Sequence, residues 1–175
     1  METVTLPHLP NQPLHIILFR DLANAPFLRQ QLLQGNSDFQ YAFLDAATVL
    51  SRDQVLGGCF RAINDMLQER LKSKNVHSEI VFSLSQNNNI SESFRRFGVN
   101  DSTKDVLAIK VGGSDVDAKN VENHLLQHVE GIPVAFTNET LAEMRDEARL
   151  KKVYKIESVD GAEPYVLGSM ALKGS

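Results

Sequence analysis

The chain has a single cysteine, Cys59. It can close no internal disulfide, and a reducing compartment suits it best. It also lacks a surplus of positive charge: 18 Lys and Arg stand against 22 Asp and Glu, a formal net charge of −4. Coating a nucleic acid with the whole surface is excluded, because phosphate binding draws on cations; a local basic patch is not. No apolar run approaches the roughly 18 residues that suggest a membrane span, so no membrane partner is expected. The opening METVTLPHLPNQP has no basic start followed by an apolar stretch and does not read as a secretory signal. A location in nucleus and cytoplasm is the expectation. Without secretion, the N-x-S/T sequons at Asn89, Asn100 and Asn138 are not expected to carry glycans.

What is present suffices for one core. Hydrophobic residues make up 42% of 175 positions, as in an ordinary globular domain. LHIILF (14–19), YAFLDA (41–46), SEIVFSLS (78–85) and DVLAIKV (105–111) read as strands. GIPVAFT is a short edge segment, since Pro133 cannot donate to a ladder. Helices are predicted over 24–35, with Asn24 as cap and Gly35 past the end, and over 51–71, 117–129 and 139–156. In the second of these, Val55, Leu56, Cys59, Phe60, Ile63, Met66, Leu67 and Leu71 form an apolar stripe. Gly57 and Gly58 interrupt it at a cost of roughly 1 kcal/mol each relative to Ala, which implies close approach of another element. In helix 139–156, Glu147 and Lys151 are placed for an i,i+4 pair.

The segment SLSQNNNISESFRRFGV (83–99) reads as a short helix. Asn89 caps it with Glu92 three residues on, Ile90, Phe94 and Phe97 share a face, and Gly98 is read as a left-handed stop. The fold class is α+β with α/β-like alternation: one domain, 1–175, with a small, mostly antiparallel or mixed sheet of about four strands flanked by helices. The tail, 157–175, is punctuated by glycine and is the less certain part.

Chemical motifs are sparse. VGGSDVDAKN matches neither the phosphate-loop nor the dinucleotide pattern, and it lacks the glycine and terminal glutamate of a calcium loop. His124 and His128 are four apart, but Leu125 stands where a zincin places glutamate, and no third ligand is evident. Cys59 on its apolar stripe reads as a core residue. His77, Ser78 and Glu79 are adjacent, so a strand turns them to opposite faces, and no G-x-S-x-G is present. No catalytic residue, metal ligand or cofactor-binding residue is assigned. Basic residues cluster at Arg70, Lys72 and Lys74, at Arg95 and Arg96, and at Arg149, Lys151, Lys152 and Lys155. If the fold joins them they make a modest nucleic-acid patch; each cluster alone is equally a solvated face.

Several blocks together resemble the PRPK-binding (TPRKB) family, the kinase-associated small subunit of the KEOPS/EKC complex. They are LFRDLANAPFLR (18–29), AFLDA (42–46), LKSKNVHSEIVFSLSQNNNISESFRRFGV (71–99), RLKKVYKI (149–156) and the terminal MALKG. Two departures are visible. Lys72-Ser73-Lys74 stands where the family has an Arg-Thr-Arg-like run, and Gln86 where proline is common. The resemblance implies a non-catalytic, cofactor-free subunit that binds the small lobe of the atypical Bud-type/PRPK kinase and tunes it. It implies an indirect link to the threonylcarbamoyl-transferase subunit. It also implies recruitment of tRNA, notably by its acceptor tail, for threonylcarbamoyladenosine modification next to the anticodon. In fungi it implies ties to telomere maintenance and transcription.

Tyr154, Ile156, Leu167, Met170 and Leu172 are the expected kinase contact, apolar residues with little else in the tail to bury them. Lys72, Lys74, Arg95, Arg96, Lys151 and Lys152 are the expected contacts to tRNA phosphates. Two other classes stay open. One is a small enzyme, which requires His77, Glu79 and a basic residue around one cleft. The other is a homodimeric interaction module.

Overall fold

The computed structural model describes residues 1–173; Gly174 and Ser175, which the sequence left open as native or added residues, lie outside the described residues. The five strands are β1 (Glu2–Val4), β2 (Leu14–Arg20), β3 (Ala42–Asp45), β4 (Val106–Val111) and β5 (Ile132–Val134). All pairings are antiparallel. The order is β1-β2-β4-β3, and β5 adds to β2 beyond the end of β1. β1 takes Leu14 to Ile16 and β5 takes Leu18 to Arg20, with Pro133 opposite Phe19 on this outer row. The expected four strands therefore lack β1, whose three residues carry no apolar alternation.

The strand period of two distributes the core. Leu14, Ile16, Leu18, Leu44, Leu107 and Ile109 face one cluster; Ile17, Phe19, Phe43, Val106 and Ala108 face the other. Helices cover both faces. α1 (Ala25–Leu33) and α5 (Ala118–His128) bury Leu28, Val121 and Leu125 on the second face. The larger cluster on the first face takes α2 (Arg52–Leu67), α3 (Val76–Ser83), α6 (Asn138–Met144), α7 (Glu147–Tyr154) and α8 (Glu163–Leu172), with Phe97 of α4 (Ile90–Phe97). The result is a three-layer α+β domain.

Local rules account for most of these elements. Ser51 Oγ accepts from Gln54 N–H to start α2, and the close approach implied by its glycines is real. A Cβ on Gly58 lies 2.9 Å from Leu84 Cδ2. α2 stops at Leu67, short of Leu71, and the chain turns through Glu69 at φ +55°. Asn24 occupies the cap position of α1, but its side chain makes no cap bond. It instead joins α1 to the end of α5, donating to His128 O at 2.8 Å and accepting from Glu130 N–H at 3.0 Å.

Three sequence expectations are corrected. SEIVFSLS is not a strand: Val76–Ser83 is helix α3. Asn75 and Ser78 form a reciprocal capping box, and nearly every residue is buried among α2, β3 and β4. A helix buried on all sides shows no polar face, so its short apolar run mimics a core strand. The predicted helix 139–156 is two helices. Arg145 is extended, Asp146 N–H donates to Ala47 O at 2.8 Å, and the Asp146 carboxylate caps α7 through Arg149 N–H. Glu147 pairs backward with Arg145 at 3.7 Å, and among the described residues no ion pair joins it to Lys151. Gly98 is not left-handed but extended, at φ −79° and ψ 161°. It runs straight into a bridge with Leu44, and a Cβ there meets Phe94 O at 2.8 Å.

Candidate functional site

Two surfaces carry the candidate residues. The first is a groove of 1190 Å³ formed by α1, the segment into β3, the loop before α3, and α4. Its basic side is the loop after α2. Glu79, 1% exposed, holds that loop from beneath, its Oε1 accepting from Lys72 N–H at 3.1 Å, Ser73 N–H at 2.9 Å and Ser73 Oγ–H at 2.7 Å. Asn75 then caps α3 through His77 and Ser78 N–H. On the opposite wall the Asn89 side chain accepts from Glu92 N–H, starting α4, as expected. The Glu92 carboxylate does not close a capping box; it binds Arg95 at 2.8 Å and Arg96 at 2.6 Å.

Of the six basic candidates, Lys72, Lys74 and Arg95 line this groove together. Arg96 lies beside Arg95 on α4 but does not line it, and Lys151 and Lys152 are exposed on the last turn of α7, outside it. Arg149, from the same basic run, turns toward Asp45 at 3.5 Å. Arg29 of α1 also lines the groove, near Asp101 at 3.8 Å; nothing in its local sequence marks it. Of the aromatic residues along it, Phe39, Tyr41 and Phe43 are buried and Phe94 is partly exposed. The cations form a surface able to hold phosphates.

His77 lines the same groove but is 6% exposed, and its Nε2 accepts from Val111 N–H at 3.0 Å. Burial, with the charge of Lys110 adding, pushes its pKa down to about 3. The imidazole is therefore neutral, with its proton on Nδ1. His77 and Glu79 each serve a backbone rather than each other, which is how the structure uses the pair singled out in the sequence. Burial pushes the Cys59 thiol up to about 12, so it holds no thiolate at neutral pH. The His124 and His128 rings lie tilted at 50° with centroids 4.5 Å apart, and His124 Nδ1 meets Tyr41 Oη at 2.8 Å. Among the described residues no group of three or more His, Cys, Asp or Glu is placed to hold a metal.

The second surface is where α8 packs on α2. Tyr154 and Met170 are buried in the chain's own core. Tyr154 Oη donates to Leu84 O at 2.7 Å and accepts from Gln54 Nε2 at 2.6 Å. Ile156 packs partly buried against the same core, Leu167 is partly buried beside Gly57, and Leu172 is 81% exposed. Leu172 has company that the sequence reading did not assign. Tyr165, seven residues before it on α8, is 54% exposed; Phe60 and Leu67, seven apart on α2, are 40% and 50% exposed. Seven residues are two helical turns, so each helix presents an apolar pair on one side. Phe60 and Ala171 line one depression between the helices.

The comparison with known families decides the lineage. The model of the kinase binding protein CGI-121 family matches residues 19–174. The chain belongs to this family. It is 52% identical over 184 residues to the EKC/KEOPS complex subunit cgi121 of Aspergillus fumigatus, covering 100% of this chain and 97% of the relative. The subunit of the same name from Aspergillus terreus is 52% identical over 191 residues, with the same coverage. That of Schizosaccharomyces pombe is 34% identical over 171 residues, 97% of this chain and 98% of the relative. The resemblance read from the sequence blocks is thereby confirmed. The second departure noted there has a local reason, since Gln86 Nε2 donates to Val153 O at 3.1 Å, a bond that proline cannot make.

Proposed function

We propose that this chain is a non-catalytic adaptor of an EKC/KEOPS-type complex, docking the small lobe of a Bud-type/PRPK atypical kinase and helping to recruit tRNA for threonylcarbamoyladenosine modification. The observation that carries the reading is the set of exposed apolar side chains on the packed helices α2 and α8, Phe60, Leu67, Tyr165 and Leu172. In a kinase-binding family such a face finds its natural cover in the kinase. Leu167 lies beside Gly57 where the two helices meet, Ile156 packs partly buried against the core, and Tyr154 and Met170 are inside it. The groove lined by Lys72, Lys74 and Arg95 supports the tRNA part; its cations would neutralise phosphates with little base preference. Arg96, beside Arg95 on α4, and Lys151 and Lys152, exposed on α7 outside the groove, are the remaining candidate phosphate contacts of this reading. Contact with the threonylcarbamoyl-transferase subunit is indirect, through the kinase. A nuclear and cytoplasmic location, and the fungal ties to telomere maintenance and transcription, belong to the same reading.

Affinity capture of the tagged chain, with its companions identified by mass spectrometry, tests this directly. The expected companions are the atypical kinase and the transferase subunit. Recovery of the chain as a self-associated dimer alone, by capture and light scattering, would overturn the adaptor in favour of a homodimeric module. For the tRNA part, reversing Lys72, Lys74, Arg95 and Arg96 should weaken tRNA binding and flatten its salt dependence. An unchanged affinity and salt slope would remove tRNA from the assignment.

A further inference from the structure

Resting on the reading of the basic groove as the tRNA surface, we infer that Glu79 is a positioning residue: its buried carboxylate fixes the 72–74 loop so that Lys72 and Lys74 are presented to phosphate. Three donors from two consecutive residues converge on one oxygen, Glu79 Oε1, at 2.7 to 3.1 Å. The next residues are tied as well. Ser73 Oγ lies 2.8 Å from Ser78 Oγ, and Asn75 N–H donates to Ser78 Oγ at 3.0 Å. The loop is thus held from one turn of α3, and its two lysine side chains are exposed above that anchor.

A neutral acceptor would suffice to close a turn; a buried carboxylate is costly unless its charge is used. Here it is used twice. Hydrogen bonds from N–H groups to an ionised oxygen are about twice as strong as neutral ones, and they hold a loop whose cations repel each other and Arg95 across the groove. The buried amine of Lys173, which donates to Phe82 O and whose pKa burial pulls down to about 7, feels the Glu79 charge as a counterweight to that burial. Fixing the loop before binding removes part of the ordering cost that RNA would otherwise meet.

The charge of Glu79 acts against its geometry. A carboxylate beneath a phosphate surface repels the phosphates, so removing it would tighten binding if electrostatics were its only effect. Positioning demands the opposite when the acceptor is removed. The test measures anisotropy of a labelled tRNA transcript on the full chain at several salt concentrations, together with Tm. Lys72→Gln/Lys74→Gln should weaken binding about tenfold and reduce the salt slope by about 2. Glu79→Met, similar in size but without an acceptor, should weaken binding to a similar degree. Added to the lysine pair, it should cost nothing further. Glu79→Gln, whose Oε1 still accepts but without the charge, should weaken binding less than Glu79→Met; a loss as large as that of Glu79→Met would overturn the role of the acceptor geometry.

If the lysine pair weakens binding but Glu79→Met leaves it unchanged or tighter, the positioning role is overturned and the groove stands. If the lysine pair has no effect, the groove reading itself fails. Should Glu79→Met not fold, Glu79→Asp carries the test. It keeps the charge, shortens the reach by one methylene and should weaken binding; an unchanged Kd overturns the proposal.

Discussion

Tyr154→Phe removes one oxygen from the interior and tests whether this residue is a strut of the core or a contact for the kinase. The side chain is fully buried, its ring 5.7 Å from that of Phe97. Its hydroxyl donates to Leu84 O at 2.7 Å and accepts from Gln54 Nε2 at 2.6 Å, while Gln54 Oε1 accepts from Leu50 N–H at 2.6 Å. This chain of bonds joins α7, the end of α3, the first turn of α2 and the residue before it. Phenylalanine fills the same space and leaves a carbonyl and an amide N–H without partners. Each such buried group costs about 1–3 kcal/mol, so the expected loss for the two is about 2–6 kcal/mol. For a chain of 175 residues, at about 2–4 °C per kcal/mol, Tm should fall by about 4–24 °C. Urea and thermal unfolding measure the loss. Kinase binding, assayed well below the lowered Tm, should be unchanged. A Tm within about 1 °C of wild type would refute the satisfied-network argument. A stably folded variant that no longer binds kinase would return Tyr154 to the interface.

Three further outcomes are expected. His77 has its pKa pushed down to about 3 in the folded chain, whereas an unfolded imidazole titrates near about 6.5. The unfolded state therefore binds the proton first as pH falls; this contribution is intact above about pH 6.5 and is lost on the way to about 3, roughly 2 kcal/mol of it by pH 5. His77→Gln, which still offers Val111 N–H an acceptor, should flatten that part of the stability-versus-pH curve; an unaltered slope would place the titration elsewhere. Gly58→Ala gains helix propensity of up to about 1 kcal/mol but drives a methyl into Leu84, and overpacking costs about 1–3 kcal/mol. A net loss near 1 kcal/mol is expected in urea unfolding, and a rise in stability would mean that α2 and α3 have room to spare. Arg61 donates to the carbonyls of Met170, Ala171 and Lys173. Arg61→Met should release the end of α8, read as faster hydrogen exchange or proteolysis there; unchanged protection would show that packing alone holds it.

Legibility in the sequence followed how far each signal depends on neighbours in the chain. β2, β4, α1, α2 and α5 were readable because period and punctuation agree within each segment. The glycine pair of α2 even announced its partner, which proved to be Leu84. α3 was misread because its burial comes from the elements packed around it, α2, α4, β3 and β4, which erases the polar face that distinguishes a helix. The break between α6 and α7 rests on Asp146, whose cap on Arg149 N–H is local but whose bond to Ala47 O is tertiary.

The sites were half legible for the same reason. Basic runs at 72–74 and 95–96 are visible in the sequence, but their meeting across one groove, and the presence of Arg29 in it, depend on how α1, α3 and α4 pack. In the tail, hydrophobicity could not separate Tyr154 and Met170, which face inward, from Leu172, which faces out. Phe60 and Leu67 were read into the core stripe of α2, yet they lie toward its exposed edge.

The central claim is that the α2–α8 face docks the kinase, and titration calorimetry of the purified kinase partner against Phe60→Glu/Leu172→Glu tests it most directly. Both side chains are exposed, at 40% and 81%, so the fold should be retained, with the wild-type circular dichroism and Tm. Two charges in the centre of a desolvated interface, each costing about 2 kcal/mol or more, should raise Kd by about 700-fold or more. A folded double variant that binds the kinase with wild-type Kd would contradict the account.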